Sequence, residues 1–407
     1  MKKISAVLLV LVLVGSVAFA GFTGSADATF KVDLDGGSYG FANNKEFDIE
    51  LTFHEELAGA KGEGDIYAEI SASFSFGYEI DETSTLDESN IVVEADIDVA
   101  KIAGEKWSVS ILKALAAPNY AKSAVDFDAD GKAQDYLASK HVEAKAGVTV
   151  EYDGYKVGIS VPYTLNNFKT PTNYFMGAVE TKTFEVADGL KLTFGAAGQL
   201  VKPADNAASL SAKGEFEVAD EYSAKAAVDA IYDNSEIILE AAAGFALVDP
   251  KVTLDVYYAS KGQAGTKVYT DPLMKNILSA KASTTIEGLT LTISGKNLLN
   301  TGVLGLTASY KASDAITVGA NGGYTLKGAD MGYWSAGGDV TYTAEDFKLK
   351  VDGKFEHKAA NSLKANVTVS STTLVDGATL SLAYNGGNYL ATPVGIGSVT
   401  AKALIEF

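Results

Sequence analysis

The sequence predicts an all-β protein: a transmembrane antiparallel β-barrel of roughly 18–22 strands, closed by a C-terminal strand that ends in Phe407. Three observations carry that expectation. From Lys140 onward, apolar and polar residues alternate almost without a break, as they must when successive side chains point to opposite faces of a strand. The alternating runs are mostly about 9–12 residues long, which matches a tilted strand crossing a bilayer, whereas strands of soluble proteins average about 5–6. The last run, "GSVTAKALIEF", sets Val399, Ala401, Ala403, Ile405 and Phe407 on one face. Ser398, Thr400, Lys402 and Glu406 take the other, with Leu404 the one apolar residue among them. Alone, this run also fits a half-buried edge strand; length and repetition favour the barrel, whose assembly machinery would read the terminal aromatic strand as its signal.

At the other end, Lys2 and Lys3 precede the apolar run "ISAVLLVLVLV", and Ala18 and Ala20 form an A-x-A site. This is the pattern of a signal peptide over residues 1–20, its apolar stretch too short to span a bilayer. The remaining chain, 21–407, is then expected outside the cytoplasm, in contact with outer-membrane lipid. No later apolar stretch reaches the length of a membrane helix; "IILEAAAGFALV" (237–248) is interrupted by Glu240. A closed barrel is the other structure that satisfies its own backbone in lipid.

Between residues 21 and 140 the alternation is weaker. "KEFDIELTFHEE", "DIYAEISASFSFGYE" and "KWSVSIL" still read as strands, and the region leaves open a periplasmic β portion ahead of the barrel. The segment 113–140, "KALAAPNYAKSAVDFDADGKAQDYLASK", has no period and reads as a long loop, on the surface or folded into a pore. Beyond it, Val148, Val150 and Tyr152 share a face, Asp153-Gly154 turns the chain, and Tyr155, Val157 and Ile159 continue the same face. Asp-Gly between alternating runs is a strong hairpin signal. "GLKLTFGAAGQLV", "KVTLDVYY", "AITVGANGGYTL", "YWSAGGDVTYTA" and "FKLKVDGKFEHK" repeat the alternation, with short turns such as "TAED" and "VDGA" on one side and longer segments on the other.

Composition narrows the function. There is no cysteine, which excludes a disulfide scaffold, thiol catalysis and Cys-zinc sites. All 33 basic residues are lysine, so bidentate guanidinium recognition of phosphate or carboxylate is absent. The net charge of −19 argues against nucleic acid or anionic lipid as a partner, and loss of Lys2 and Lys3 takes it to about −21. The three histidines, His54, His141 and His357, each stand at the end of an alternating run, and no nucleophile-elbow or zincin motif accompanies them, so an enzyme is not expected. Asp126, Asp128 and Asp130 followed by Gly131 resemble the opening of a Ca²⁺ loop. The twelfth position is Leu137 where a bidentate Glu is needed, and the same residues read equally as an acidic, solvated loop. Apart from Ca²⁺ at these carboxylates, no cofactor is expected.

The polar faces are the functional feature. Glu143, Lys145, Glu151, Lys156, Lys191, Lys348, Lys350, Lys354 and Glu356, with Lys213, Glu215 and Glu217, are expected to line a water-filled lumen. Such a lumen serves passive diffusion, and the acidic balance predicts a mild preference for cations. The alternative is an adhesin or structural array protein for which the barrel is only an anchor.

The export signal, "GEGDIYAEISASFSF" (62–76), "AKIAGEKWSVSILKALAAPNYAKSAVD" (100–126) and the run of alternating strands ending in Phe407 together resemble the major outer sheath protein family of treponemes and its relatives among the treponemal repeat proteins. The resemblance implies an abundant spirochaete outer-membrane protein with channel-forming ability, trimeric assembly, and adhesion to host matrix proteins. It also implies an N-terminal periplasmic portion as an option. No catalytic or binding residue is carried over from it.

Overall fold

The computed structural model describes residues 23–41, 49–58, 66–78, 91–111, 114–125, 147–160, 174–201, 206–233, 236–261, 275–328 and 330–406. Ala18, Ala20, Glu143, Lys145, Asp126, Asp128, Asp130 and Phe407 lie outside these residues.

Among the described residues the chain forms twenty-four strands and no helix. The first six are β1 (Thr23–Asp33), β2 (Ser38–Phe41), β3 (Ile49–Ala58), β4 (Tyr67–Tyr78), β5 (Ile91–Ala103) and β6 (Trp107–Ile111). After the long insertion come β7 (Gly147–Tyr152), β8 (Tyr155–Ser160), β9 (Tyr174–Glu180), β10 (Phe184–Ala187), β11 (Leu190–Val201) and β12 (Ala207–Val218). They are followed by β13 (Tyr222–Asp233), β14 (Glu236–Leu247), β15 (Lys251–Lys261), β16 (Lys275–Ile286), β17 (Leu289–Lys296) and β18 (Val303–Lys311). The last six are β19 (Ile316–Thr325), β20 (Trp334–Thr343), β21 (Lys348–His357), β22 (Ser362–Val375), β23 (Ala378–Gly386) and β24 (Gly397–Glu406).

All pairings are antiparallel and run between neighbours in the chain, with three exceptions that define the wall. β1 pairs with β2 along its second half and with β3 along its first, so β2 and β3 share one place. β11 likewise pairs with β9 and then β10. β24 closes the sheet on β1, from Ser25↔Glu406 to Asp33↔Ser398. The circuit therefore has twenty-two strand places. At about 4.8 Å between strands and a tilt of about 40°, a circular barrel of that number is roughly 40 Å across. β1–β6, from the stretch where the sequence leaves a periplasmic portion open, lie in this same sheet.

The polarity is inside out. On β7 and β8 the residues pointing away from the lumen are Val148, Val150, Tyr152, Tyr155, Val157 and Ile159, between 41% and 64% exposed. On β7 to β24, no Asp, Glu or Lys among the described residues takes an outward position in the pairing registers. A lipid-facing wall needs this, since a lysine at the bilayer midplane costs about 2–4 kcal/mol. Aromatic residues gather at the two rims of that surface. Near the short turns, Tyr155 meets Phe184 at 6.1 Å, Tyr222 meets Phe216 and Phe245 at 5.9 and 6.0 Å, and Tyr342 meets Phe347 at 5.9 Å. At the opposite rim Trp334 lies 5.1 Å from Phe355 and 5.9 Å from the His357 ring. Tyr222 and Tyr232 mark the two rims on β13, and ten tilted residues span about 25 Å, the height of an apolar band.

The short turns keep the register. Asp153 (φ 48°) and Gly154 (φ 83°) are both left-handed, as the two-residue β7–β8 hairpin requires, and Glu287 (φ 47°) with Gly288 (φ 81°) repeats the turn between β16 and β17.

Candidate functional site

Because β6 pairs directly with β7, from Trp107↔Tyr152 to Ile111↔Val148, the intervening residues are an insertion that leaves the wall intact. Its described part, 114–125, runs inside the barrel along the wall from β8 to β16. The sequence allowed either a surface or a pore-folded loop here; this part is pore-folded.

Two glycines make room for it. A Cβ on Gly158 of β8 would overlap Leu115, and one on Gly195 of β11 would overlap Pro118. Next along the segment, the Pro118 carbonyl accepts a 2.7 Å hydrogen bond from the Ser211 hydroxyl. The backbone N–H groups of Tyr120 and Ala121 then donate to one carboxylate oxygen, Asp229 Oδ2, at 3.1 and 2.6 Å. The Tyr120 hydroxyl donates to Glu180 Oε2 at 2.9 Å, and Lys156 Nζ holds the other Glu180 oxygen at 2.9 Å. Lys213 Nζ sits 5.5 Å from the centre of the Tyr120 ring. Burial, reinforced by the hydrogen bond to Glu180 and by the Glu180 and Asp229 charges, raises the Tyr120 phenol above its ordinary pKa, so it stays a donor. Further on, the Ser123 and Ser279 hydroxyls meet at 2.9 Å, and Val125 packs against Tyr257, Ala259 and Ile277. From Leu115 to Val125 an extended chain covers roughly 35 Å, so contacts on so many strands require the segment to be nearly straight.

The wall beneath is polar and buried by this cover. Asp229 and Glu240 stand opposite each other on β13 and β14 and are both 0% exposed. Tyr257 donates to Glu240 Oε1 at 2.6 Å. Residues paired in register share a face. From Asp229 that face passes through Ser211, Gly195, Glu180, Lys156 and Glu151 in one direction.

The same parity puts Lys191, Lys348, Lys350, Lys354 and Glu356 on the lumen side. The structure therefore brings Glu151 next to Lys156, and Lys354 within 2.8 Å of Glu356. It leaves these two groups on different arcs of the wall. Val399, Ala401 and Ala403 share the outward face of β24, and Ile405 pairs with Ala378 and Ala26. Among the described residues no cluster of three potential metal ligands occurs.

Sequence reasoning did not single out Tyr120, Asp229 or the two glycines. The available signal was a lone carboxylate inside an otherwise apolar run, in "AAVDAIY" as in "IILEAAAG". Nothing in the spacing links either to residue 120.

No family model matches the chain, and no curated protein matches it. Among solved structures it is similar to the translocation pore of the P pilus usher PapC, at 10% identity and a TM-score of 0.42, covering 95% of this chain and 99% of that one. It is similar to a variant of the ferric enterobactin receptor PfeA from Pseudomonas aeruginosa, at 10% identity and a TM-score of 0.49, covering 96% and 81%. A variant of the Rh. blastica porin gives 10% identity and a TM-score of 0.37, covering 95% and 99%.

Proposed function

We propose that this protein is an outer-membrane channel for passive diffusion of small hydrophilic solutes and ions, exported behind residues 1–20. The observation that carries the proposal is the wide, charged lumen wall with segment 114–125 held along one arc of it. A wall of this kind keeps water in the barrel, and a segment tied to the wall narrows the path on one side. The acidic balance of the chain supports a preference for cations, and the interleaving of lysines with carboxylates on the described wall keeps that preference mild.

The test is single-channel recording of detergent-purified, unheated protein in a planar bilayer, with a boiled control. Stepwise, ohmic openings lost on boiling are expected, with a reversal potential in a salt gradient on the cation side. A silent bilayer with confirmed insertion would show a sealed barrel and turn the function towards surface adhesion.

A further inference from the structure

Directly beside the Tyr120 contact, the pairing registers set lumen-facing charges in a row of alternating sign across six strands. Lys191 stands opposite Glu215, Glu215 opposite Lys225, and Lys225 opposite Gly244. Gly244 in turn stands opposite Asp255, and Asp255 opposite Lys281. Gly244 is the gap that lets its neighbours meet. A Cβ there would overlap the Lys225 side chain, and Lys225 Nζ reaches across it to Asp255 Oδ1 at 3.3 Å. Lys213 Nζ makes a second pair of the same length, 3.3 Å, with Glu215.

Around these pairs the wall is hollow. A cavity of about 250 Å³ lies between the wall and segment 114–125, bounded by Tyr120, Lys122, Lys213, Glu215, Lys225 and Asp255. Its back is formed by the small side chains of Ala227 and Ala242. A second cavity of about 300 Å³ shares Glu215, Lys225 and Asp255 with the first. Lys122, on the segment, is exposed to the lumen.

We infer that this row is a transient binding site for small zwitterions, of the size and chemistry of amino acids and short peptides. The inference rests on the channel reading above and names a solute class for it. A carboxylate is met by Lys122, Lys213 and Lys225, and an ammonium by Glu215 and Asp255, within one hollow whose alanine-and-glycine back leaves space for a side chain. Pairs between partly exposed side chains are weak in water and separate readily. A ligand carrying both charges can replace the Lys225–Asp255 pair and still give each of its two partners an opposite charge. A cation or an anion alone would strand one partner, and a neutral sugar offers neither. The site thus selects a solute by its charge pattern rather than by its net charge.

The test is swelling of liposomes holding the intact protein, with glycylglycine and with erythritol, which is uncharged and of similar size. The ratio of the two rates is read within each preparation. For the unaltered protein the ratio is expected to be about threefold or more, and saturable in glycylglycine. It should fall to near one in Lys225→Gln/Asp255→Asn, and the reversed pair Lys225→Glu/Asp255→Lys should restore it. Equal rates in the unaltered protein, or a ratio that survives the neutral variant, would overturn the inference while leaving a working channel. Swelling by neither solute would overturn the channel reading and this inference with it.

Discussion

At the scale of single residues, Asp229 does the most to hold the interior segment. One of its oxygens receives two backbone N–H groups, from Tyr120 and Ala121, with no solvent reaching the carboxylate. Hydrogen bonds to a charged acceptor contribute roughly 1.5–3 kcal/mol each, because the charge strengthens them where water is excluded. Asp229→Asn keeps the shape, removes the charge and turns one acceptor into a donor. Amide exchange at Tyr120 and Ala121 is therefore expected to quicken about 10- to 100-fold. Unchanged exchange would show that the glycine grooves and Ser211 suffice. Alternation in the sequence set Glu151, Lys156, Lys191, Lys348, Lys350, Lys354 and Glu356 opposite the apolar residues of their strands, as the pairing registers also do, because a period of two fixes a face whatever the partner strand. Asp229 and Tyr120 were not legible as partners: 109 positions separate them, and segment 114–125 has no period from which a direction could be read.

At the scale of elements, the β7–β8 hairpin is tied to the β9–β10 connection by Lys182 Nζ and Asp153 Oδ2, 2.9 Å apart. The hydrogen bond from Lys182, and then its charge, hold the Asp153 carboxyl below its usual range, and Asp153 raises Lys182 in turn. A carboxyl lowered on folding contributes stability above its unfolded pKa of about 3.9, and that contribution is lost as pH falls through the lowered folded value. Lys182 behaves in the opposite sense: its share is present below its unfolded pKa and is lost as pH rises through the raised folded value. Asp153→Asn keeps the left-handed turn, which Asn also tolerates. Its urea midpoint in detergent is expected slightly below that of the unaltered protein at pH 7, with the gap narrowing as pH falls through the lowered folded value; a gap that does not change with pH would exclude the ion pair as its source. The hairpin itself was legible in "YDGY", since few residue pairs accept two positive φ angles in succession. The split places were not. β2 with β3, and β9 with β10, share one neighbour each, and nothing in an alternating pattern marks where a strand hands its partner on.

At the scale of the whole molecule, the wall separates two environments by parity alone. Val228 lies between the rims on the outer face, 44% exposed, and Thr292 faces the lumen from β17. Val228→Lys is expected to destabilise folding into vesicles by about 2–4 kcal/mol, and Thr292→Lys by less than about 1 kcal/mol, in urea titrations. Equal losses would mean that lipid does not cover the face carrying Val228. The closure of that wall has a consequence for how the protein is made. Asp35, in the β1–β2 turn, accepts hydrogen bonds from the backbone N–H groups of Ile396 and Gly397, residues more than 360 positions away, and β1 joins β24 along nine registered pairs. Until that last strand arrives, the nascent sheet has two raw edges, each a row of unsatisfied amides ready to pair with another chain. An escort that shields those edges during transit would matter more here than any local propensity, and its loss should appear first as aggregates rather than as silent pores.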